Sequence, residues 1–116
     1  MENAVTVKTF TSKLSSQNIH FYILKLQESY LIWIGTETSF RTLAIAMNSR
    51  LDSEPLCTQL LGDSTDNAAG SLAQRLVKRY GHHCFVSMNV QDATLHPIIE
   101  DYVIKLLDKE PQNFLF

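Results

Sequence analysis

The apolar residues of this chain change period near its middle. Up to Leu61 they alternate with polar residues or stand in short blocks, and from Asn67 onward most recur at three- and four-residue spacing. A period of two belongs to strands and one of about 3.6 to helices. Val5, Val7 and Phe10 mark a short first strand, and Thr11 to Asn18, polar apart from Leu14, is expected as a loop. Ile19 to Leu26 (IHFYILKL) and Tyr30 to Gly35 (YLIWIG) are rich in β-branched and aromatic residues, and the short Gln27-Glu28-Ser29 link makes them a hairpin. Phe40 to Met47 (FRTLAIAM) reads as a further strand, although its alanines and Met47 would also suit a helix. Pro55 opens another strand, Pro55 to Leu61, at a position where proline is tolerated.

Gly62 to Asp66 (GDSTD) is a polar turn, and a helix follows from Asn67 to Tyr80. Its stripe is Ala69, Leu72, Ala73, Leu76, Val77 and Tyr80. Thr65, Asp66 and Asn67 are candidate N-caps, and Gly81 stands at the C′ position. Cys84 to Val90 is the last strand. A second helix then carries Leu95, Ile98, Ile99, Tyr102, Val103, Leu106 and Leu107, with Pro97 in its first turn and Asp101 paired in spacing with Lys105 on the solvent side. The expected architecture is α+β, a single domain over residues 1–116 with a mainly antiparallel β-sheet of five to six strands and two amphipathic helices.

This plan leaves too much apolar sheet. One face of the hairpin carries Ile19, Phe21, Ile23, Lys25, Tyr30, Ile32 and Ile34, and the other carries His20, Tyr22, Leu24, Leu26, Leu31 and Trp33. A sheet with one solvated face should alternate apolar with polar. Two helices cover one face, so the second must be covered by the sheet folding over on itself or by another chain, and the second arrangement is favoured because large apolar patches mark interfaces. The pattern alone does not say which face meets the helices. Tyr22, Leu24, Leu31 and Trp33 are the candidate partner-binding residues.

Composition narrows the function classes. The 116 residues are 45% hydrophobic and 19% charged, with a net charge of −2 from ten basic and twelve acidic residues. No basic stripe marks a nucleic-acid partner. The N-terminus has no continuous apolar core of a signal peptide, and the strongest apolar run, Tyr30 to Ile34, is far short of a membrane span, so neither secretion nor a membrane role is expected. Cys57 and Cys84, both in apolar segments, are expected as buried, reduced thiols in the cytoplasm, with the nucleus as a second compartment.

Candidate chemistry is sparse. LLGDSTD resembles the first block of the GDSL (SGNH) hydrolases, which would make Ser64 the nucleophile of a small serine esterase, with Asp92 and His96 to activate it. Their spacing departs from Asp-x-x-His, the Gly-x-Asn-Asp block is absent, and turn and capping chemistry account for the segment without catalysis. His82-His83-Cys84 lies on a strand whose neighbours point to opposite faces, and only one further thiol exists, so no metal or cofactor is expected. Arg75, Lys78 and Arg79 gather where a helix dipole favours cations, which is their ordinary place and not by itself a phosphate site.

A broader resemblance rests on Leu31 to Gly35 (LIWIG), Leu43 to Arg50 (LAIAMNSR), Leu60 to Asp66 (LLGDSTD), Leu72 to Leu76 (LAQRL) and Phe85 to Asn89 (FVSMN). In this order and spacing the chain resembles the proteasome assembly chaperone 4 family. The resemblance implies a non-enzymatic chaperone of 20S proteasome assembly with a mostly antiparallel sheet and flanking helices. It implies pairing with the related assembly chaperone 3 and binding of proteasome α-subunits while the α-ring is built, followed by release before the mature particle forms. Apart from the resemblance, a homodimer in isolation is a further candidate state. The first two assembly chaperones end in a hydrophobic-Tyr-any signal for the α-ring, and Phe114-Leu115-Phe116 lacks its tyrosine.

Overall fold

Three strands, β1 (Thr6–Leu14), β2 (Gln17–Lys25) and β3 (Ser29–Gly35), each run antiparallel to the next in a computed structural model. It describes residues 6–14, 17–26, 29–36, 42–47, 55–62, 68–90 and 92–109. The chain continues through the antiparallel pair β4 (Leu43–Met47) and β5 (Leu56–Leu61), helix α1 (Ala68–Tyr80), strand β6 (His83–Asn89), one 3-10 turn (Ala93–Leu95) and helix α2 (His96–Lys109). Among the described residues the six strands form one sheet in the order β1-β2-β3-β6-β4-β5.

The last strand therefore enters the middle of the sheet. β6 pairs parallel with β3 on one side and antiparallel with β4 on the other. Since β5 and β6 both oppose β4, they run in the same direction, and helix α1 is the crossover that a parallel return requires. The sheet is mainly antiparallel with a single parallel junction, in agreement with the periodicity. Just before β4 begins, the Thr42 hydroxyl donates to Met88 O at 2.7 Å and accepts from Met88 N at 2.9 Å, supplying β6 with the bonds of one more rung.

One expected loop is strand. Thr11 to Leu14 of β1 pairs with Gln17 to His20 of β2. Backbone ladders do not need apolar side chains, threonine suits a pleated strand, and β1 is an edge, so polar residues there cost nothing in burial.

Both helices lie on the face formed by Ile19, Phe21, Ile23, Tyr30, Ile32 and Ile34, which join Ala44, Ala46, Cys84, Val86 and the helix stripes in one core. Ala44 and Ala46 are small because α1 crosses directly over β4 and β6, and Ala69, Gly70 and Ala73 of the helix are small for the same reason. A Cβ on Gly70 would stand 3.1 Å from Cys57 Sγ. The α1 stripe is buried at Ala69, Leu72, Ala73, Leu76 and Val77, as its spacing predicts, with Tyr80 half-buried. Gly81, at φ 84°, caps α1 with its N–H on Val77 O at 2.8 Å, a left-handed conformation that glycine adopts without penalty. Of the candidate N-caps, Thr65, Asp66 and Asn67 lie outside the described residues.

Helix α2 is turned from its expected setting. Ile99, Val103, Ile104 and Leu107 are buried, while Ile98 is 43% exposed. The line Glu100, Ile104 and Asp108 faces α1. Arg75 pairs with Glu100 at 2.9 Å, the Tyr80 hydroxyl donates to Ile104 O at 3.3 Å, and Arg79 binds Asp108 at 2.5 and 3.1 Å. Exposed ion pairs are screened by water, whereas a fully buried Ile or Leu contributes about 1.5–3 kcal/mol, so the apolar stripe holds α2 and the ion pairs lie along its contact with α1.

The cysteines part company. Cys84 is fully buried beside Tyr30, its partner in the β3–β6 register, and desolvation raises the pKa of both groups well above their ordinary values. Cys57 is exposed, contrary to the expectation of two buried thiols, because β5 is an edge strand that α1 only partly covers.

Candidate protein-binding face

The face opposite the helices is built by the alternation of every strand. Side chains of β2 and β3 that turn away from the core are His20, Tyr22 and Leu24, then Leu31 and Trp33. Register carries the face across the sheet: Leu31 opposes Phe85 of β6, Phe85 opposes Ile45 of β4, and beyond it Met47 opposes Leu56 of β5. Tyr22 stands against Trp33 with ring centroids 5.3 Å apart and planes at 79°, an edge-to-face contact. Leu24, Leu31, Trp33, Ile45 and Phe85 are half-buried by their neighbours, and Tyr22 is 50% exposed. Among the described residues no helix or strand lies over this face.

Its polarity is low. From β2 to β5 none of the described side chains on this face is charged, and Lys13 marks the far corner on β1. Ser87 and Asn89 are buried within it: Asn89 Nδ2 donates to Ile34 O at 3.2 Å and to Ser87 Oγ at 2.8 Å. At the β1 side a hydrogen bond of 2.8 Å joins Thr11 Oγ1 and His20 Nδ1. An uncharged apolar surface of this kind can exclude water against a complementary surface.

The sequence-level candidates Tyr22, Leu24, Leu31 and Trp33 all fall on this one face, with Tyr22 opposite Trp33 and Leu24 opposite Leu31. Phe85, Ile45, Met47 and Leu56 belong to the same face and were not among them. Their alternation is visible in the sequence, but their place beside Leu31 depends on β6 entering the centre of the sheet.

The remaining sequence candidates are placed as follows. Ser64 lies outside the described residues. The Asp92 carboxylate accepts from Thr94 N at 3.0 Å and Thr94 Oγ1 at 2.6 Å, which holds it below the usual carboxylate range and caps the 3-10 turn. His96 Nε2 is hydrogen-bonded to Val90 O at 2.7 Å. Both supposed triad partners are thus engaged in starting α2. His83 and Cys84 point to opposite faces of β6, and among the described residues no group of three or more His, Cys, Asp or Glu could hold a metal. Arg75 and Arg79 of the basic cluster are paired with acids of α2.

A family model described as proteasome assembly chaperone 4 matches residues 18–90, the segment from β2 through β6 that builds most of this face. The chain belongs to the proteasome assembly chaperone 4 family. It is 36% identical over 112 residues to Proteasome assembly chaperone 4 of Homo sapiens, covering 95% of this chain and 91% of the human protein. The Mus musculus protein of the same name is 34% identical over the same length and coverage. The fold of the family member is also that of a chain in the crystal structure of a novel chaperone complex for yeast 20S proteasome assembly, with a TM-score of 0.72 over 91% of this chain and 97% of that one. At 17% identity this likeness is one of fold.

Proposed function

We propose that this protein is a chaperone of 20S proteasome assembly that works by protein binding alone, without a chemical step. The observation that carries the reading is the uncharged apolar sheet face opposite the helices, in a chain of the proteasome assembly chaperone 4 family. The related assembly chaperone 3 is the proposed occupant of that face, through Tyr22, Leu24, Leu31 and Trp33, and the pair then binds proteasome α-subunits while the α-ring is built. The setting is the cytoplasm, and the nucleus as well. A sheet-on-sheet contact fits because two apolar sheet faces interdigitate as the inner faces of a sandwich do, about 10 Å apart.

The test is co-expression of the tagged chain with assembly chaperone 3 and α-subunits, followed by affinity capture. Wild type should recover both, and Trp33→Asp should recover neither while keeping its circular dichroism spectrum. Capture unchanged in Trp33→Asp would remove this face from the function, and capture of neither by wild type would overturn the chaperone reading.

A further inference from the structure

The two edges of the sheet are defended very differently. β1 presents Lys8, Thr9, Thr11 and Lys13, all exposed, and lysines on an edge strand deter pairing with other chains. β5, at the other edge, carries no charge along Leu56–Leu61, and Leu56, Leu60 and Leu61 are 54%, 52% and 46% exposed. Among the described residues no strand lies beyond β5. Among the described residues its guards are Pro55 at the start and a register shift near the end, where Leu60 and Leu61 together meet Leu43 of β4. A β-edge with outward N–H and C=O groups and apolar side chains is a template for one more strand.

From this asymmetry we propose that the β5 edge is a second binding surface, which takes up an extended, uncharged, apolar segment of another protein as an additional antiparallel strand. The inference concerns the edge of the sheet and does not rest on the assignment of the sheet face to assembly chaperone 3. The lack of charge on β5 selects the chemistry of the guest, since any charged side chain laid along it would lose water and find no counter-charge. A second copy of β5 suits the edge poorly. In a two-fold antiparallel pair its own register shift would interrupt the ladder at the opposite end as well, leaving Leu56 to Gln59 to pair, whereas a regular guest strand meets only one interruption. A strand of this length spans roughly 20 Å, too little for the ~800 Å² per partner of a stable interface, so the grasp is weak and reversible.

The experiment uses the full chain and a fluorescent, end-blocked octapeptide of alternating threonine and valine, read by anisotropy and by amide hydrogen exchange. Wild type should bind it saturably with new protection confined to β5. Leu60→Lys, at an exposed position, should keep the native spectrum and bind at least about tenfold more weakly. The same peptide N-methylated at alternate residues should not bind, because its side chains remain but its ladder donors are gone. Trp33→Asp should bind the unmodified peptide as wild type does, which separates this edge from the sheet face. The proposal is overturned by absence of binding, by equal binding of the N-methylated peptide, or by protection that falls elsewhere. It is overturned as well by sedimentation showing self-association of wild type that Leu60→Lys abolishes and the peptide does not displace, since the occupant would then be a second copy.

Discussion

Asp108 shows how much one exposed carboxylate can organise. It takes two bonds from Arg79 and one of 2.5 Å from the Tyr80 hydroxyl, and these hold its pKa below the usual carboxylate value. A depressed folded pKa contributes stability that is fully present above the unfolded value of about 3.9 and is lost as pH falls through the folded one. The stability difference between wild type and Asp108→Asn should accordingly be constant from neutral pH to about pH 5 and shrink below about pH 4, as denaturant midpoints will record. Tyr80 behaves in the opposite sense. Partial burial, followed by its bond to Asp108, raises its pKa to about 12, so spectrophotometric titration should find it ionising well after an ordinary tyrosine. The two thiols should also separate: in the native protein alkylation should modify Cys57 and leave Cys84 untouched until the chain unfolds, with mass spectrometry locating the label. Comparable labelling of both would mean that β6 is not a core strand.

At the scale of elements, the rotation of α2 and the closeness of α1 can each be tested. Leu107 is fully buried and Ile98 is not, so Leu107→Ala should cost about 2–5 kcal/mol and Ile98→Ala about 0.5 kcal/mol or less in chemical denaturation. Equal costs would mean that Ile98 is packed with the rest of the stripe that the spacing predicts. Gly70 weakens α1 by about 1 kcal/mol relative to alanine, yet an added Cβ would press on Cys57 Sγ at 3.1 Å. Gly70→Ala should therefore stabilise more in a Cys57→Ala background than in wild type, and a double-mutant cycle measures the difference. Additive effects would show that the helix has room to spare over β5.

For the whole molecule the decisive contrast is between neighbouring residues on β3. Ile32 is fully buried against the helices, and Trp33 lies on the far face. Ile32→Asp should unfold the domain, because an unpaired buried charge costs several kcal/mol against a total stability of about 5–15 kcal/mol. Trp33→Asp should leave a folded protein that no longer pairs. Circular dichroism with sedimentation distinguishes the two outcomes, and loss of the folded signal in both would mean that the far face is also core.

The sequence by itself determined most of the elements and the content of each face. Periodicity is local: a strand with Ile19, Phe21 and Ile23 on one side must bury that side wherever it lies, and the α1 stripe buried as its spacing requires. It also grouped Tyr22, Leu24, Leu31 and Trp33, because hairpin register follows from alternation across a short turn. Tertiary structure decided what depends on distant residues. The Thr11–Leu14 strand exists because β2 offers it a ladder, and Ile98 points outward because α2 turns Ile104 and the Glu100–Asp108 side towards α1. Cys57 is exposed because β5 is the last strand of the sheet among the described residues. Phe85 and Ile45 join the aromatic face because α1 carries the chain over β4 and delivers β6 beside β3, a strand order that no local pattern of side chains encodes.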